Sequence, residues 1–253
     1  MRGNRISKME VYIREKRVVS LDELCEYFGV SKNTVRRDIN EIVSRSDICK
    51  VYGGVSVERS KIPPPFNERS NVNLGAKELI GECAAKLVED GDIIYVDSGT
   101  TTSHLIDNLT GKKNITVITH SLDVINRAVE NPEISVISLS GTLNRKTFSF
   151  TGQSTIDVLK DYNISKAFMA ANGVTIQNGA TQSTSIEFAI KKTVVSRSDT
   201  IILMIENHKF GGVSLLTYCN LRDIDMIVTN KKPFPEFIEA YEAMGGKLII
   251  PEE

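Results

Sequence analysis

The sequence of 253 residues predicts an α/β protein of two domains: a small helical module with a β-hairpin, then a larger domain of Rossmann-like α/β type. Helical patterns and a glycine hairpin stop near residue 60, and the prolines Pro63-Pro64-Pro65 then stiffen the chain. Beyond them, short apolar runs alternate with stretches that can form helices. We therefore predict a first domain at 1–59, a linker at 60–73 and a second domain at 74–253.

The apolar runs of the second domain are the main indication of its fold. They are apolar at successive positions, as the strands of a parallel sheet covered on both faces require. They lie at 93–96, 115–118, 134–139, 167–170, 201–205, 226–228 and 248–250. Because helical stretches separate most of them, the pattern favours an α/β sandwich with right-handed crossovers.

The composition excludes several classes of protein. No apolar run approaches the length that spans a bilayer, and the charged N-terminus lacks a signal-peptide pattern, so we expect a cytoplasmic protein with no membrane partner. The four cysteines show no C-x-x-C spacing, and we expect no metal and no cofactor. The net charge of −1 conceals an asymmetry, because residues 1–60 carry twelve Lys and Arg against nine Asp and Glu. This excess suits an N-terminal domain that binds a polyanion.

A pair of helices is predicted in the first domain. Ser20 and Glu23 fit a capping box, in which the hydroxyl caps the helix and the glutamate reaches back to the free amide of the cap. Gly29 can adopt the left-handed conformation that ends this helix, and Ser31 caps a second one. The inward face of the second helix consists of Val35, Ile39 and Ile42. Helix, glycine turn and capped helix together make a helix-turn-helix.

The start of the second helix carries the residues expected to read DNA. In a helix-turn-helix this end enters the major groove and meets base edges and phosphates. A wing follows at 48–57, where two strand patterns are joined through glycines. The DNA-binding candidates are Ser31, Lys32, Asn33, Thr34, Arg36, Arg37, Lys50, Tyr52, Gly53 and Gly54. A three-helix bundle with a merely solvated basic face is the alternative, but the order of these signals favours a winged helix-turn-helix that binds double-stranded DNA.

Two junctions between apolar runs and helices carry hydroxyl groups. Asp97-Ser98-Gly99-Thr100-Thr101-Thr102 follows the run at 93–96, and Thr119-His120-Ser121 follows the next run. Glycine lets a ligand approach the backbone, and hydroxyls, free amides and a helix dipole favour an anion. The same residues can equally be plain helix caps. Because ligands of open α/β sheets bind at the carboxyl ends of the strands, the two junctions predict a phosphate-binding crevice.

A specific motif occupies residues 19–57. It consists of Ser20-Leu21-Asp22-Glu23-Leu24, Phe28, Val30-Ser31, Thr34-Val35-Arg36-Arg37-Asp38-Ile39-Asn40 and Tyr52-Gly53-Gly54. These residues resemble the DeoR family of bacterial regulators. The resemblance implies a repressor, commonly of sugar or polyol catabolic genes, that a phosphorylated intermediate releases from its operator. It also implies a homo-oligomer, either a dimer or a tetramer.

Residues 77–229 resemble the sensor domain of the same family, whose fold is similar to ribose-5-phosphate isomerase. The resemblance implies that the effector is surrounded by Asp97, Ser98, Gly99, Thr100 and Thr101. It implies as further pocket candidates Thr119, Ser121, Gly141, Arg145, Gly152, Asn172, Gly173, Glu187 and Lys209. The cations Arg145 and Lys209 would pair with phosphate oxygens. His120 stands where the family usually has asparagine, and we expect it to contact the effector or to be a hydrogen-bonded structural histidine.

Two other functions compete with an effector-controlled repressor. Related isomerases act on sugar phosphates with a carboxylate base, but their acidic signature is replaced here by Ala171-Asn172-Gly173-Val174, and Glu187 alone lacks the paired groups of a proton shuttle. We therefore expect no catalytic residue and no enzyme. The other alternative is an activator or DNA-organising protein without an effector, which would show no ligand-induced rise in melting temperature.

Overall fold

The computed structural model describes residues 2–16, 18–43, 48–51, 53–57 and 63–251. Contacts divide the chain into two compact units, 1–61 and 62–253. The domain boundary predicted at residue 59 and the first residues of the predicted linker, 60–62, lie outside the described residues. Within the described ranges, every helix is too short or too polar to cross a membrane.

The first unit combines helices with a small antiparallel sheet. Its helices are α1 (Arg2–Lys16), α2 (Leu21–Phe28) and α3 (Lys32–Val43), and its strands are β1 (Val18–Ser20), β2 (Ile48–Val51) and β3 (Gly54–Val57). The strand order is β1-β3-β2. The apolar core between helices and sheet contains Ile6, Met9, Ile13, Val19, Leu24, Val35, Ile39, Ile42, Ile48 and Val55.

The helix-turn-helix expected from the capping signals is formed by α2 and α3. The Ser20 hydroxyl accepts a hydrogen bond from the Glu23 amide at 3.0 Å, and Gly29 ends α2 with a φ of 60°. The other half of the capping box differs from the prediction. The Glu23 carboxylate accepts a hydrogen bond from the Tyr12 hydroxyl at 3.0 Å, because α1 packs against α2 and brings this phenol to it.

The second unit alternates strands and helices. Its strands are β4 (Ile93–Val96), β5 (Ile115–Thr119), β6 (Ile134–Ser138), β7 (Thr142–Asn144), β8 (Ser149–Thr151), β9 (Ile164–Met169), β10 (Gly173–Thr175), β11 (Gly179–Gln182), β12 (Ser198–Met204), β13 (Leu216–Cys219), β14 (Met226–Val228) and β15 (Lys247–Ile249). Its helices are α4 (Phe66–Ser70), α5 (Leu74–Ala85), α6 (Leu122–Val129), α7 (Gln153–Leu159), α8 (Ser185–Ser196) and α9 (Pro235–Ala243), with 3-10 turns at Thr102–Asn108, Asn207–Lys209 and Leu221–Asp223.

A seven-stranded parallel sheet forms the centre of this unit, in the order β15-β14-β12-β9-β4-β5-β6. Each apolar run predicted from the sequence contributes one of these strands. Both faces of the sheet are covered, so successive residues of a strand enter different cores. Tyr95 and Leu203 belong to one core, whereas Ile94 and Ile202 belong to the other. This two-sided burial explains why the runs lack polar alternation.

The order of the strands creates a crevice beside β4. From β4 the chain adds β5 and β6 on one side, then returns to add β9, β12, β14 and β15 on the other. At such a reversal the connections leave the sheet in opposite directions, which opens a crevice at the carboxyl ends of the two central strands. Here these ends are followed by the loops at 97–101 and 170–172.

Residues 63–70, which we call the strap, differ from the linker expected there. They end in the helix α4 and belong to the second unit. Phe66 is buried and stacks on Phe148 with ring centroids 5.3 Å apart, and its amide donates to the Lys146 carbonyl at 2.8 Å. The buried ammonium of Lys77 donates to the carbonyl of Arg69. The strap is therefore packed on the α/β unit because Phe66 anchors it there.

Candidate functional site

A pocket lies at the crevice beside β4. Loops after β4 and β9, the β7–β8 hairpin, helix α8 and the strap form its walls. The sequence-predicted residues that line it are Ser98, Gly99, Thr100, Thr101, Asn172, Glu187 and Lys209. The structure thus brings together seven of the fifteen effector-binding candidates, from four separate segments of the chain.

The loop after β4 is shaped by its own hydrogen bonds. The Thr102 hydroxyl donates to the carbonyls of Asp97 at 2.7 Å and Gly99 at 2.9 Å. A β-carbon on Gly99 would lie 2.5 Å from the Ala170 methyl, so only glycine fits between the two loops. The hydroxyls of Ser98, Thr100 and Thr101 are left at the pocket wall.

Glu187 places an ionised carboxylate at the pocket. It accepts hydrogen bonds from the Ser149 hydroxyl at 2.9 Å and from the Ser98 hydroxyl at 3.3 Å. Burial by itself would raise the pKa of Glu187, but interactions with His120, Lys191 and Ser149 outweigh it and lower the pKa to about 2. The Glu187 carboxylate is therefore ionised near neutral pH and can only accept hydrogen bonds.

Positive charge surrounds this carboxylate. The cationic side chains that line the pocket are Arg69, Lys146, Lys191 and Lys209. Burial, with the like charges of Arg69, Lys77 and Lys191, lowers the pKa of Lys209 to about 8, although Glu206 opposes the shift. The Lys209 ammonium lies 3.8 Å from the Glu206 carboxylate. The pocket wall therefore carries more cations than anions and suits an anionic ligand.

Lys191 is held by a buried ion pair. Its ammonium donates to the Asp97 carboxylate and, at 2.9 Å, to the Ala170 carbonyl. The Asp97 carboxylate also accepts the amides of Ser98 at 2.9 Å and Ala170 at 2.8 Å. Side-chain exposure is 3% for Lys191 and 0% for Asp97. Asp97 therefore supports the pocket from below and clamps the loops after β4 and β9 together.

Three predicted residues from the second junction also lie beneath the pocket. Thr119 is buried and donates its hydroxyl to the Val96 carbonyl at 2.7 Å, and Ser121 caps α6 by accepting the Val124 amide at 3.3 Å. His120 is fully buried, with Nδ1 2.7 Å from the Tyr95 hydroxyl and Nε2 3.8 Å from the Glu187 carboxylate. His120 is thus buried against Tyr95 and Glu187 and is not part of the pocket wall.

Four other predicted residues do not line the pocket. Gly141 packs against the Thr151 backbone, where a β-carbon would lie 2.8 Å from the carbonyl, and Gly173 packs similarly against Gly212. Gly152 precedes α7. Arg145 is exposed on the β7–β8 hairpin, and the next residue, Lys146, lines the pocket instead. These four residues, like those beneath the pocket, are therefore not part of its wall.

Sequence reasoning missed several polar residues of the pocket. They are Arg69, Asn144, Lys146, Thr147, Gln182 and Lys191. Three of them, Asn144, Lys146 and Thr147, lie next to the predicted Arg145 in the sequence. Lys191 follows the predicted Glu187 by one helical turn and so lies on the same face of the helix. Closeness to a predicted residue could therefore have identified these four. Arg69 had no such signal, since the proline run marked its segment as a linker.

Asp97, His120 and Glu187 also bring potential metal-ligating atoms within 4.8 Å of one another. Both carboxylates are already engaged, Asp97 with Lys191 and Glu187 with Ser149 and Ser98. The Lys191 ammonium thus balances the charge of Asp97, and two serine hydroxyls donate to Glu187. The donor set fits an internal ion-pair network better than a metal centre.

The candidate DNA-binding face lies on the first unit. Asn33, Arg36 and Arg37 are exposed on α3, and within the described ranges neither arginine has an ion-pair partner. The Lys32 ammonium forms an ion pair with the Asp22 carboxylate, with Nζ 2.5 Å from Oδ1. The hydroxyl of Ser31 accepts the Thr34 amide at 3.4 Å, so these two residues mainly form the start of the helix. Exposed arginines beside a capped helix start suit DNA phosphates and base edges.

The wing continues this face. Gly53 has a φ of 78°, and its carbonyl accepts the Leu21 amide at 2.9 Å. Gly54 lies so close to β1 that a β-carbon would come within 2.3 Å of the Val19 carbonyl. Lys50 is exposed on β2, and Tyr52 lies outside the described residues. The two glycines are thus required by the wing itself, whereas Lys50 is available for DNA.

Both units match family models. The model of the DeoR-like helix-turn-helix domain matches residues 5–61, and that of the DeoR C terminal sensor domain matches residues 72–231. The chain belongs to the DeoR family. This DeoR-family protein is a transcriptional repressor with an N-terminal DNA-binding domain and a C-terminal sensor domain, which confirms the family resemblance of its motifs.

Curated relatives of this DeoR-family protein are transcription regulators. It is 42% identical over 240 residues to the HTH-type transcriptional regulator IolR of Bacillus subtilis, covering 94% of this chain and 95% of IolR. It is 24% identical over 221 residues to the glycerol-3-phosphate regulon repressor of Escherichia coli, covering 87% and 88%. A D-ribose-5-phosphate isomerase in complex with phospho-erythronic acid is 20% identical, with a TM-score of 0.40 over 53% of this chain and 52% of the isomerase.

Proposed function

We propose that this repressor controls an operon of sugar or polyol catabolism and that a phosphorylated sugar or polyol bound in the pocket releases it from its operator. The observation that carries the proposal is the combination of four cationic side chains, a hydroxyl-lined loop and one ionised carboxylate in a single pocket. A phosphate monoester carries about −1.5 to −2 charges at pH 7, which complements the cations. The Glu187 carboxylate would accept hydrogen bonds from sugar hydroxyls.

Operator binding is assigned to α3 and the wing. Arg36 and Arg37 offer forked donors that fit guanine edges or phosphates, and Lys50 adds a phosphate contact. One such module makes few base contacts, so we propose that a dimer or tetramer binds paired half-sites. Effector binding would change the spacing of the paired recognition helices and so weaken operator binding.

The operon type is inferred from relatives and from sequence likeness. One relative is the glycerol-3-phosphate regulon repressor, which is named for a phosphorylated polyol. Another relative is IolR of Bacillus subtilis, the repressor of myo-inositol catabolism, which is 42% identical over 94% of this chain. We therefore propose a polyol such as inositol as the compound whose breakdown is controlled, and a phosphorylated intermediate of that breakdown as the effector.

An enzyme acting on sugar phosphates is the alternative function. A general base works best when its pKa lies near the operating pH. Glu187 has a pKa of about 2 and is therefore a weak base. The neighbouring Asp97 is sealed beneath the pocket by Lys191 and two amides. This arrangement suits binding of hydroxyl groups better than proton transfer.

A ligand panel tests the proposed function. We expect at least one of a set of sugar and polyol phosphates, such as inositol, glycerol and fructose phosphates, to raise the melting temperature of the full chain. At a hundredfold excess over the dissociation constant, the stabilisation would be about 2.7 kcal/mol. The same compound should release the protein from operator DNA in a mobility-shift assay, and its unphosphorylated parent should not. If every phosphate leaves both the melting temperature and DNA binding unchanged, the effector mechanism is wrong.

Effector binding is expected to weaken above pH 8. Lys209 has a lowered pKa of about 8 in the free protein, so it loses its proton as the pH rises past this value and must regain one to pair with a phosphate. The affinity should fall by up to about tenfold per pH unit above 8, until the pH reaches the pKa of Lys209 in the complex. Calorimetric titration of the best phosphate from the panel at pH 7, 8 and 9 measures this. Lys209→Arg keeps its charge throughout and serves as the control; a parallel fall in both proteins would exclude Lys209 as the cause.

A further inference from the structure

The strap contributes to the pocket although neither family model includes it. The matched regions are 5–61 and 72–231, so residues 63–70 fall between them. Pro63, Pro64 and Arg69 nevertheless line the pocket. The packing of Phe66 on Phe148 holds them in place, together with the hydrogen bond from the Phe66 amide to Lys146. A residue of the strap is thus positioned to touch the effector.

The side chain of Arg69 has unused hydrogen-bond donors. Its Nε donates to the Pro64 carbonyl at 2.9 Å, and its guanidinium lies 5.9 Å from the centre of the Phe66 ring. Within the described part of the chain, its two terminal nitrogens have no hydrogen-bond partner. A guanidinium offers five N–H donors in a planar fork, so four remain for a ligand. Donors left unpaired in a half-buried site require water or a ligand.

The charges around Arg69 also indicate an anion. Burial lowers the pKa of Arg69, while the carboxylates of Glu187 and Glu206 raise it, and an arginine remains charged near neutral pH. Arg69, Lys77 and Lys191 all lower the pKa of Lys209, so these four cations repel one another. Glu206 lies 3.8 Å from Lys209 and offsets part of this repulsion. A bound anion would offset the remaining repulsion between these cations and accept hydrogen bonds from the free N–H groups of Arg69.

We propose that Arg69 is an anion-binding residue of the pocket, supplied by the strap. The proposal rests on the proposed function, because it assigns a further ligand to the same effector site. The strap directly follows the first unit in the sequence, so an effector held by Arg69 acts on the segment that continues from the DNA-binding domain.

A matched set of variants tests the role of Arg69, with inorganic phosphate as the probe. We expect Arg69→Gln to weaken phosphate binding by about tenfold or more, as loss of a charged hydrogen bond does. Arg69→Lys keeps the charge but not the fork, and should fall between Arg69→Gln and the unchanged protein. Arg222→Gln removes an exposed arginine that does not line the pocket and should bind phosphate normally. Dissociation constants come from calorimetry in phosphate-free buffer, with circular dichroism confirming the fold.

The order of the phosphate affinities of these variants shows whether Arg69 binds the anion or only packs the strap. If Arg69 only held the strap through its hydrogen bond to Pro64, Arg69→Lys and Arg69→Gln would lower the melting temperature equally and leave the same phosphate affinity. That result, or an Arg69→Gln affinity within twofold of the unchanged protein, overturns the proposal. If Arg69→Gln does not fold, the comparison of Arg69→Lys with Arg222→Gln decides: equal phosphate affinity overturns the proposal. Failure of the unchanged protein to bind any phosphate would instead refute the proposed function.

Discussion

Replacing Arg36 and Arg37 together by alanine is expected to weaken operator binding by about 30-fold to 25,000-fold. Each arginine that reads a base or phosphate contributes about 1–3 kcal/mol, and both side chains are exposed on α3. The core side of the helix, with Val35 and Ile39, is untouched, so the fold should survive. Mobility-shift or fluorescence anisotropy titration with operator DNA at fixed salt measures the loss.

Two controls make this result specific. Arg222→Ala removes an exposed arginine of the second unit and should change operator affinity by less than about twofold, because it tests only the general effect of net charge. The double variant should still show the thermal shift caused by phosphates, since the pocket is built entirely from the second unit. Full operator affinity in the double variant would show that another surface reads the DNA.

Replacing Lys191 by methionine is expected to destabilise the second unit by about 3–5 kcal/mol. The change leaves the carboxylate of Asp97 buried without its cation, and breaking a buried pair from one side costs about this much. The two amides that Asp97 accepts should keep the loss toward the lower end of the range. For a domain of this size, the melting temperature should fall by about 2–4 °C per kcal/mol. Urea and thermal unfolding followed by circular dichroism measure both quantities.

The adjacent lysine provides a matched control. Lys192 is exposed, and its ammonium lies 5.6 Å from the centre of the Phe188 ring. Lys192→Met should therefore cost less than about 1 kcal/mol. Adding Asp97→Asn to Lys191→Met removes the buried carboxylate that has lost its cation, and should recover part of the lost stability. Equal unfolding free energies for Lys191→Met and Lys192→Met would mean that the buried pair contributes nothing.

Patterns that are local in the chain predicted much of the fold. Ser20, Gly29 and the apolar positions of α3 indicated a helix-turn-helix because caps and helical periodicity depend on neighbouring residues. The apolar runs indicated a covered parallel sheet because strands buried on both faces need no polar alternation. Gly99 and Gly54 belonged to recognisable motifs, and both occupy positions where a β-carbon would collide with the backbone or a side chain of another segment.

The candidate site was predictable only in part. The loop at 97–101 was found because hydroxyls and glycine directly follow a strand, and the order of the strands then placed it at the crevice. Whether a polar residue faces the pocket or supports it from below depends on packing from other elements. Both residues of the second junction are buried: Thr119 donates to the Val96 carbonyl, and Tyr95 of β4 and Glu187 of α8 lie against His120.

The linear sequence was sufficient for the class of each domain, the helix-turn-helix and the hydroxyl-lined loop after β4, because each depends on residues within a few positions of one another. Chain folding was needed to join Lys191 to Asp97, to turn Lys146 rather than Arg145 toward the pocket, and to bring Arg69 into its wall. These contacts connect residues that are far apart in the chain or that differ by one step around a turn. No periodicity records such contacts, because they depend on how the strap, the hairpin and α8 pack around the carboxyl end of β4.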